Sequence, residues 1–64
     1  MEISVSENIR RLRKEKGITQ EALAEILHIS PQSISKWERG DAYPDISMLS
    51  PLANYFGVTI DSLL

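Results

Sequence analysis

Cysteine is absent from this 64-residue sequence, and histidine occurs only once, at position 28. Without cysteine the chain has no disulfide framework and no thiolate metal site, which fits a reducing compartment. His28 has no second histidine or cysteine to join it in binding a metal ion. The carboxylates are spread over helix faces and bring no nucleophile, base and orienting group together. We therefore predict no metal, no cofactor, no catalytic residue and no enzymatic activity.

Long apolar runs and a secretion signal are missing as well. No stretch approaches the roughly 20 apolar residues of a membrane span. Residues 1–8 have neither the basic start nor the apolar run of a signal peptide. We therefore expect a soluble, cytoplasmic protein without a membrane partner. Because a chain this short buries only about 60% of the surface that its unfolded form exposes, residues 1–64 are expected to form one domain with a simple core.

Positive charge is absent from residues 40–64, because no Lys or Arg follows Arg39. The net charge is −2, which by itself argues mildly against nucleic acid as a partner. The distribution matters more than the sum, since one end of the chain is basic and the other is acidic. Residues 10–16 hold five of the seven basic side chains. Such a cluster is typical either of a solvated helix face or of a surface for nucleic acid, and the segment alone does not decide between them.

The rest of the sequence predicts an all-α domain of five short helices. Apolar residues recur at helical spacing. Ser6, Thr19 and Ser30 are suitable N-caps for the first three segments, and Thr59 is one for the last. Pro51 falls inside the fourth segment and removes a helical hydrogen bond, so we expect a short turn, capped by Asp45, before the fourth helix. The turn is expected at residues 46–49, and the helices at about 7–16, 20–27, 31–39, 50–56 and 60–64.

The chain is organised around residues 20–39, which read as a short helix, a three-residue corner and a second short helix. The corner begins at His28, where a positive φ is usual, and histidine enters that region more readily than most non-glycine residues. Ser30 and Pro31 suit the N-cap and first position of the second helix. This is a helix-turn-helix, whose corner makes the second helix protrude. Four residues are expected to form the apolar face of its first helix: Leu23, Ala24, Ile26 and Leu27.

The second helix of this motif has two different faces when its residues are placed about 100° apart. Ile34 and Trp37 point one way, and we expect Trp37 to anchor the core rather than to stack on a base. The opposite face offers an amide, a hydroxyl and two cations, the groups suited to base edges and phosphates. We therefore predict a sequence-specific DNA-binding domain. That face consists of Gln32, Ser35, Lys36 and Arg39.

An ion pair is predicted between the first and third helices. Arg13 lies four residues after Ile9, at the edge of the inward stripe, and is the one member of the basic cluster expected to be partly buried. Glu38 lies between the two faces of the third helix, within reach of Arg13. Losing one member of such a pair could cost about 3 to 5 kcal/mol where burial is deep.

A family resemblance is carried by the residues TQEALAEILHISPQSISKWERG, and it extends through IRRLRKEKGITQ before them and YPDISMLSPLANYFGVTIDSLL after them. From about Asn8 onward the chain resembles the phage-repressor family of helix-turn-helix proteins, the Cro and cI-like or XRE type. The TQ helix start, the SxxxIxxWExG helix and the terminal FGVTIDSLL make the match specific. The resemblance implies a lambda-repressor-like five-helix bundle that docks its third helix, residues 31–39, in the DNA major groove as a homodimer.

The resemblance also implies roles for individual residues. Arg13 and Glu38 match a structural ion pair of the family, in agreement with the spacing argument. Gln32 and Lys36 match positions that commonly touch bases, and Ser33 and Ser35 match positions with variable base or phosphate contacts. The expected base contacts are Gln32, Lys36 and Ser35, and the expected phosphate contacts are Gln20, Ser33, Arg10 and Arg39.

Three residues depart from the family pattern. Pro31 falls where some members use a base-reading side chain, and proline cannot donate, so readout should depend on Gln32 and Lys36. His28 replaces the usual corner glycine. Asp41 lies in a loop that often approaches the DNA backbone and is often basic there, so this loop is expected to add less affinity.

The expected function is transcriptional regulation, with repression through operator occupancy as the first interpretation. The alternative keeps the fold but makes it a protein-interaction module, such as an antitoxin or adaptor, which the net acidity favours. A gel-shift titration separates the two, because DNA binding weakens with salt. A dimer surface is expected on the last helix, and the terminal Leu63 and Leu64 suggest packing on the core, a partner or a further C-terminal domain.

Overall fold

The computed structural model describes residues 5–64, and these residues form five helices around one core. The all-α prediction is confirmed, and the first three helices and the last one lie close to the expected positions. The helices are α1 (Val5–Lys16), α2 (Gln20–Leu27), α3 (Pro31–Arg39), α4 (Ile46–Phe56) and α5 (Ile60–Leu63). None of the helices in this range has the length and apolar character needed to cross a membrane.

Every helix contributes to the core. Trp37 is 6% exposed, which confirms it as a core anchor, and Ala24 is 1% exposed where α2 crosses its neighbours. Fully burying one Leu, Ile or Val side chain stabilises a fold by about 1.5 to 3 kcal/mol. The core residues are Ile9, Leu12, Leu23, Ala24, Leu27, Ile34, Trp37, Leu52, Ala53, Phe56 and Leu63.

Ile26 does not belong to the buried face of α2, contrary to the prediction. Its side chain is 42% exposed. The buried stripe is made by Leu23, Ala24 and Leu27, and at 100° per residue Ile26 points about 100° away from the centre of that stripe. An eight-residue helix on the surface of so small a domain can bury only this narrow stripe.

The corner between α2 and α3 has the predicted geometry. His28 adopts φ 61° and ψ 42°, the left-handed conformation that ends α2. Ser30 caps α3 by accepting a hydrogen bond from the Ser33 amide at 3.4 Å, and Pro31 occupies the first turn. The Thr19 hydroxyl accepts from the Ala22 amide at 3.0 Å and caps α2 as expected. The caps supplied by Thr19 and Ser30 therefore favour the helix starts on both sides of the corner.

Two helix starts differ from the predictions. Val5 and Ser6 are already helical, so Ser6 is not the N-cap of α1. The side chain of Val5 packs against the core, which favours the longer helix. Asp45 stands at the N-cap of α4 but makes no side-chain cap hydrogen bond. Its carboxylate instead accepts from the Ser47 hydroxyl at 2.6 Å.

The predicted break before Pro51 is wrong, because α4 is one continuous helix from Ile46 to Phe56. Proline lacks the N–H that would bond to the carbonyl four residues earlier, here Ser47. Ser47 lies in the first turn and is exposed, so water can satisfy its carbonyl. On the other side of Pro51, Leu52 and Phe56 hold α4 in the core. One lost hydrogen bond near the end of a helix is a smaller effect than this packing.

The C-terminal helix α5 is fastened to α1. Leu63 is fully buried, and the side-chain amide of Asn8 donates to its carbonyl at 2.8 Å. Thr59 caps α5 by accepting from the Ser62 amide at 3.1 Å, as predicted. Leu64 is 57% exposed, so only the first of the two terminal leucines packs on the core.

Candidate nucleic-acid interface

The outward face of α3 presents two side chains that are exposed and make no hydrogen bond within residues 5–64, Gln32 and Lys36. Ile34, at 0% exposed, and Trp37, at 6%, hold the opposite face in the core. The two exposed side chains are four residues apart, so they lie on the same side of the helix. An amide and an ammonium group are thus held on a rigid element and are available to a partner.

Ser35 and Arg39 also lie on this side of α3, but they contact each other. The Arg39 guanidinium donates through Nη1 to the Ser35 hydroxyl at 2.7 Å and through Nε to the Asp41 carboxylate at 2.9 Å. The side chains of Arg39 and Asp41 are 58% and 59% exposed. An ion pair this exposed to solvent contributes about 0 to 1 kcal/mol to the stability of a fold. A phosphate group can replace these partners at little loss of stability.

Ser33 takes part in the N-terminal cap of α3. Its hydroxyl lies 3.2 Å from the Ser30 hydroxyl, and its amide donates to the same Ser30 oxygen. The first turn of α3 therefore collects a half-buried hydroxyl and helix N-terminal amides close to Gln32. Pro31 in this turn has no N–H and supplies shape only.

Gln20 is the first residue of α2 and faces α3. Its side-chain Nε2 donates to Glu38 Oε1 at 3.0 Å. An amide NH₂ carries two hydrogens, so one remains available to another acceptor. The sequence did not reveal this contact, since the two residues are 18 positions apart and no local spacing links them.

Arg10 reaches across from α1 to the end of α3. Its Nη1 donates to the backbone carbonyl of Glu38 at 3.1 Å, while its residue surface is exposed. Elsewhere in the basic cluster, Arg11 pairs with Glu15 at 3.2 Å on the surface of α1. The structure thus divides the cluster: Arg10 and Arg13 turn toward α3, and Arg11 does not.

The predicted ion pair between Arg13 and Glu38 is confirmed. Arg13 donates through Nε to Oε2 at 2.6 Å and through Nη2 to Oε1 at 3.0 Å, with the side chains 12% and 4% exposed. Its Nη1 donates to the Ile18 carbonyl at 2.8 Å. This is the bidentate geometry that gives Arg–carboxylate pairs their strength and direction.

The electrostatics of Glu38 combine two opposing effects on its pKa. Burial raises the pKa of Glu38, but the hydrogen bonds from Arg13 and Gln20 together lower it by more. The pKa of Glu38 therefore lies below its ordinary value. The hydrogen bond to Glu38 raises the pKa of Arg13. Both groups are therefore charged at neutral pH, and Glu38 is an acceptor only.

A helix-turn-helix family model matches residues 9–63 of the chain. The chain belongs to the helix-turn-helix family. This helix-turn-helix chain is 48% identical over 59 residues to the HTH-type transcriptional activator BcrR of Enterococcus faecalis, covering 92% of the chain and 29% of BcrR. It is 40% identical over 58 residues to the SPbeta prophage-derived HTH-type transcriptional regulator YonR of Bacillus subtilis, covering 91% of the chain and 54% of YonR. The chain therefore spans less than a third of BcrR and just over half of YonR.

A solved structure supports the same assignment. The helix-turn-helix chain superimposes on the P22 c2 repressor, crystallised in complex with a synthetic operator, with a TM-score of 0.92 and 33% identity. The match covers 98% of this chain and 96% of the repressor chain. The resemblance to phage repressors and the lambda-repressor-like fold are thereby confirmed. The DNA contacts of individual residues stay predictions.

Proposed function

We propose that this domain binds double-stranded DNA in a sequence-specific manner and regulates transcription, with α3 in the major groove. The observation that carries the proposal is the face of α3 on which Gln32 and Lys36 stand exposed, backed by buried Ile34 and Trp37. The similar P22 c2 repressor was crystallised with an operator. The proposed activity is recognition and involves no chemical step.

Gln32 and Lys36 are proposed to read the bases, with Ser35 as a further contact. A glutamine amide pairs with the N6 and N7 edge of adenine, and a lysine donates to the O6 and N7 acceptors of guanine. Each good pair discriminates against a wrong base by about 1 to 3 kcal/mol. The half-site should therefore contain an adenine and a guanine spaced as Gln32 and Lys36 are along α3.

Phosphate contacts are proposed to set the register of α3 on the duplex. The exposed Arg10 and Arg39 bring positive charge, and Gln20 and Ser33 stand at the N-terminal turns of α2 and α3, where amides also face anions. Both arginines already make intramolecular hydrogen bonds that a phosphate oxygen can replace. Few charges are involved, so a single copy should bind weakly.

Useful affinity is therefore proposed to need a homodimer on an inverted repeat. Two exposed apolar side chains, Ile60 of α5 at 39% and Leu64 directly after α5 at 57%, support a dimer surface at that helix. The relatives differ in the sign of regulation, since BcrR is named an activator and P22 c2 a repressor. Operator occupancy is the step that both signs share. We also propose that the protein works in the compartment of the genome, the cytoplasm in bacteria.

Selection of bound sites from a random DNA pool, followed by gel-shift titration, tests the proposal. We expect an enriched inverted repeat with half-sites one helical turn apart, and retarded species that weaken as salt rises. No enrichment and no salt-sensitive retardation would contradict DNA binding and would favour the protein-interaction alternative. A single enriched half-site would contradict the dimer but not the readout.

A further inference from the structure

Glu38 joins residues of two other helices at the inner side of α3. Its carboxylate accepts from Arg13 of α1 and from Gln20 of α2, and its backbone carbonyl accepts from Arg10 of α1. Glu38 is only 4% exposed, so it does not itself reach a ligand. Two of the four proposed phosphate ligands, Gln20 and Arg10, therefore donate to the one residue at the back of the recognition helix.

The carboxylate determines how the Gln20 amide is oriented. An ionised carboxylate only accepts hydrogen bonds, so the NH₂ end of Gln20 must face it and the amide oxygen must face away. The second hydrogen of the same NH₂ group then remains for a phosphate oxygen. A neutral amide at position 38 has both a donor and an acceptor, so it can hydrogen-bond to either end of the Gln20 amide and would not select this orientation.

The negative charge of Glu38 repels a nearby phosphate only weakly, because the bidentate contact with Arg13 neutralises that charge. The pair is 12% and 4% exposed, so the charges compensate each other in a site that is poorly screened by solvent. Arg13 thus allows an acidic group to stand close to the proposed DNA backbone.

We propose that Glu38 is a positioning residue that holds the Gln20 side-chain amide in its phosphate-binding orientation while α3 reads the bases. The inference rests on the proposed function and deepens it. A side chain held before binding loses less freedom when DNA arrives, so its contact contributes more to affinity. Phosphate contact from α2 and base contact from α3 are thereby kept in one fixed register.

A double-mutant cycle on the selected operator tests this role. DNA dissociation constants are measured for wild type, Gln20→Ala, Glu38→Gln and the double variant, at a temperature where thermal unfolding shows each to be folded. We expect Gln20→Ala to weaken binding about 10-fold in wild type, as for a charge-assisted hydrogen bond, and less than about 2-fold in the Glu38→Gln background. A merely structural Glu38 gives the same loss in both backgrounds.

Arg39→Ala is the matched control, because Arg39 is also a proposed phosphate contact but donates to Ser35 and Asp41 rather than to Glu38. Its loss of affinity should be the same in both backgrounds. Equal losses for Gln20→Ala in the two backgrounds, or no loss in wild type, overturn the positioning role. Failure of the proposed function looks different, since wild type itself then shows no salt-sensitive binding.

A measurement on the unsubstituted protein keeps the proposal testable if Glu38→Gln does not fold. The chain has two glutamines, and their side-chain amide signals can be compared by NMR. The Gln20 NH₂ should have one proton shifted downfield and slower exchange with water than the NH₂ of exposed Gln32. Identical shifts and exchange rates for the two amides overturn the proposal.

Discussion

Glu38 carries a negative charge in a place where burial opposes it. Hydrogen bonds from Arg13 and Gln20 outweigh the effect of burial, so the pKa of this carboxyl lies below its ordinary value. Since these hydrogen bonds are absent in the unfolded chain, the ionised form of Glu38 stabilises the folded state. Removing either Arg13 or Glu38 leaves a buried charge without its partner.

The first prediction is a dependence of stability on pH. A carboxyl whose pKa is lower in the folded state contributes stability that is fully present above its unfolded pKa and is lost as the pH falls through its folded pKa. The free energy of unfolding, measured by urea titration from pH 7 to pH 2, should fall more steeply for wild type than for Glu38→Gln. At pH 7 the variant should be less stable by about 1 to 3 kcal/mol.

The stabilities of wild type and Glu38→Gln must be compared at each pH, because Asp45 also contributes to the acid dependence of stability. A hydrogen bond from the Ser47 hydroxyl lowers the pKa of Asp45 as well, so this exposed carboxyl also titrates in acid. Both proteins keep Asp45, and its effect cancels. Parallel pH profiles for wild type and Glu38→Gln would show that the charge of Glu38 does not stabilise the fold.

His28 is the one non-glycine residue with positive φ among residues 5–64. It closes α2 by donating its amide to the Glu25 carbonyl at 3.2 Å. The left-handed region costs an ordinary L-residue about 1 to 2 kcal/mol, and glycine avoids most of this. The corner of the helix-turn-helix is therefore formed against a local preference.

The second prediction is that His28→Gly stabilises the domain by about 0.5 to 1 kcal/mol. The relief of strain is reduced because glycine also gives the unfolded chain more freedom. Thermal unfolding should show a higher midpoint, and His28→Val, which adds a β-branched side chain at positive φ, is the control expected to lower it. A lower midpoint for His28→Gly would show that the His28 side chain stabilises the corner by contacts of its own.

At the scale of single elements, α3 separates stability from recognition. Ile34 and Trp37 face the core, while Gln32 and Lys36 face outward. Substitutions on the outward face should therefore change binding without changing the fold. The same separation makes the predicted readout testable one side chain at a time.

The third prediction is that Gln32→Ala relaxes base preference at one position of the half-site. The loss should be about 1 to 3 kcal/mol against the preferred base and much less against other bases, because only the matched edge loses its hydrogen bonds. Binding to a panel of single-base operator variants gives the measurement. Stability should stay within about 0.5 kcal/mol of wild type. An unchanged preference at every position would remove Gln32 from the readout.

Helix α4 keeps its path although Pro51 lies inside it. The fourth prediction is that Pro51→Ala stabilises the domain by about 1 to 2 kcal/mol, since the Ser47 carbonyl regains a partner and alanine is a better helix former. The gain is below the full proline penalty because alanine also loosens the unfolded chain. Urea unfolding measures the effect.

Pro31→Ala is the control for Pro51→Ala, because Pro31 lies in the first turn of α3, where proline suits the helix. It should be neutral or slightly destabilising. Loss of stability in Pro51→Ala would mean that the ring of Pro51 packs in a way that alanine cannot replace.

Over the whole molecule, the position of the charges matters more for DNA binding than the net charge does. Arg10, Lys36 and Arg39 lie on or against α3, while the chain carries a net charge of −2. The acidic Asp41 stands within this basic side and holds Arg39 at 2.9 Å. A phosphate must compete with Asp41 for the same guanidinium.

The fifth prediction is that Asp41→Asn raises DNA affinity a few-fold at low salt. The substitution removes both a repulsive charge and the competitor for Arg39, so the slope of log affinity against log salt should become steeper by up to about 0.9. Fluorescence anisotropy at several salt concentrations checks both effects. Glu25→Gln is the control, since Glu25 is exposed on α2 and lies outside both α3 and α5. An equal gain from both variants would show that only net charge matters.

Local signals in the sequence were enough for most of the architecture. Thr19, Ser30 and Thr59 cap the helices that they precede, and Trp37 anchors the core. Each of these depends on neighbours within a few positions, which is why spacing reveals them. The failures have the opposite origin: Ile26 and Pro51 were misjudged because burial by other helices, absent from any local window, decides their surroundings.

Local patterns along the chain predicted five helices, the corner at His28, the outward position of Gln32 and Lys36 and the pairing of Arg13 with Glu38. The packing of the helices against one another revealed that Gln20 and Arg10 also donate to Glu38, that α4 continues through Pro51 and that Asn8 donates to the Leu63 carbonyl of α5. The reason is physical. Caps and apolar stripes act within one or two turns, and Arg13 and Glu38 could be paired because each lies at the edge of such a stripe. The hydrogen bonds of Gln20, Arg10 and Asn8 join residues 18 to 55 positions apart, follow from no stripe, and exist only once the core has packed.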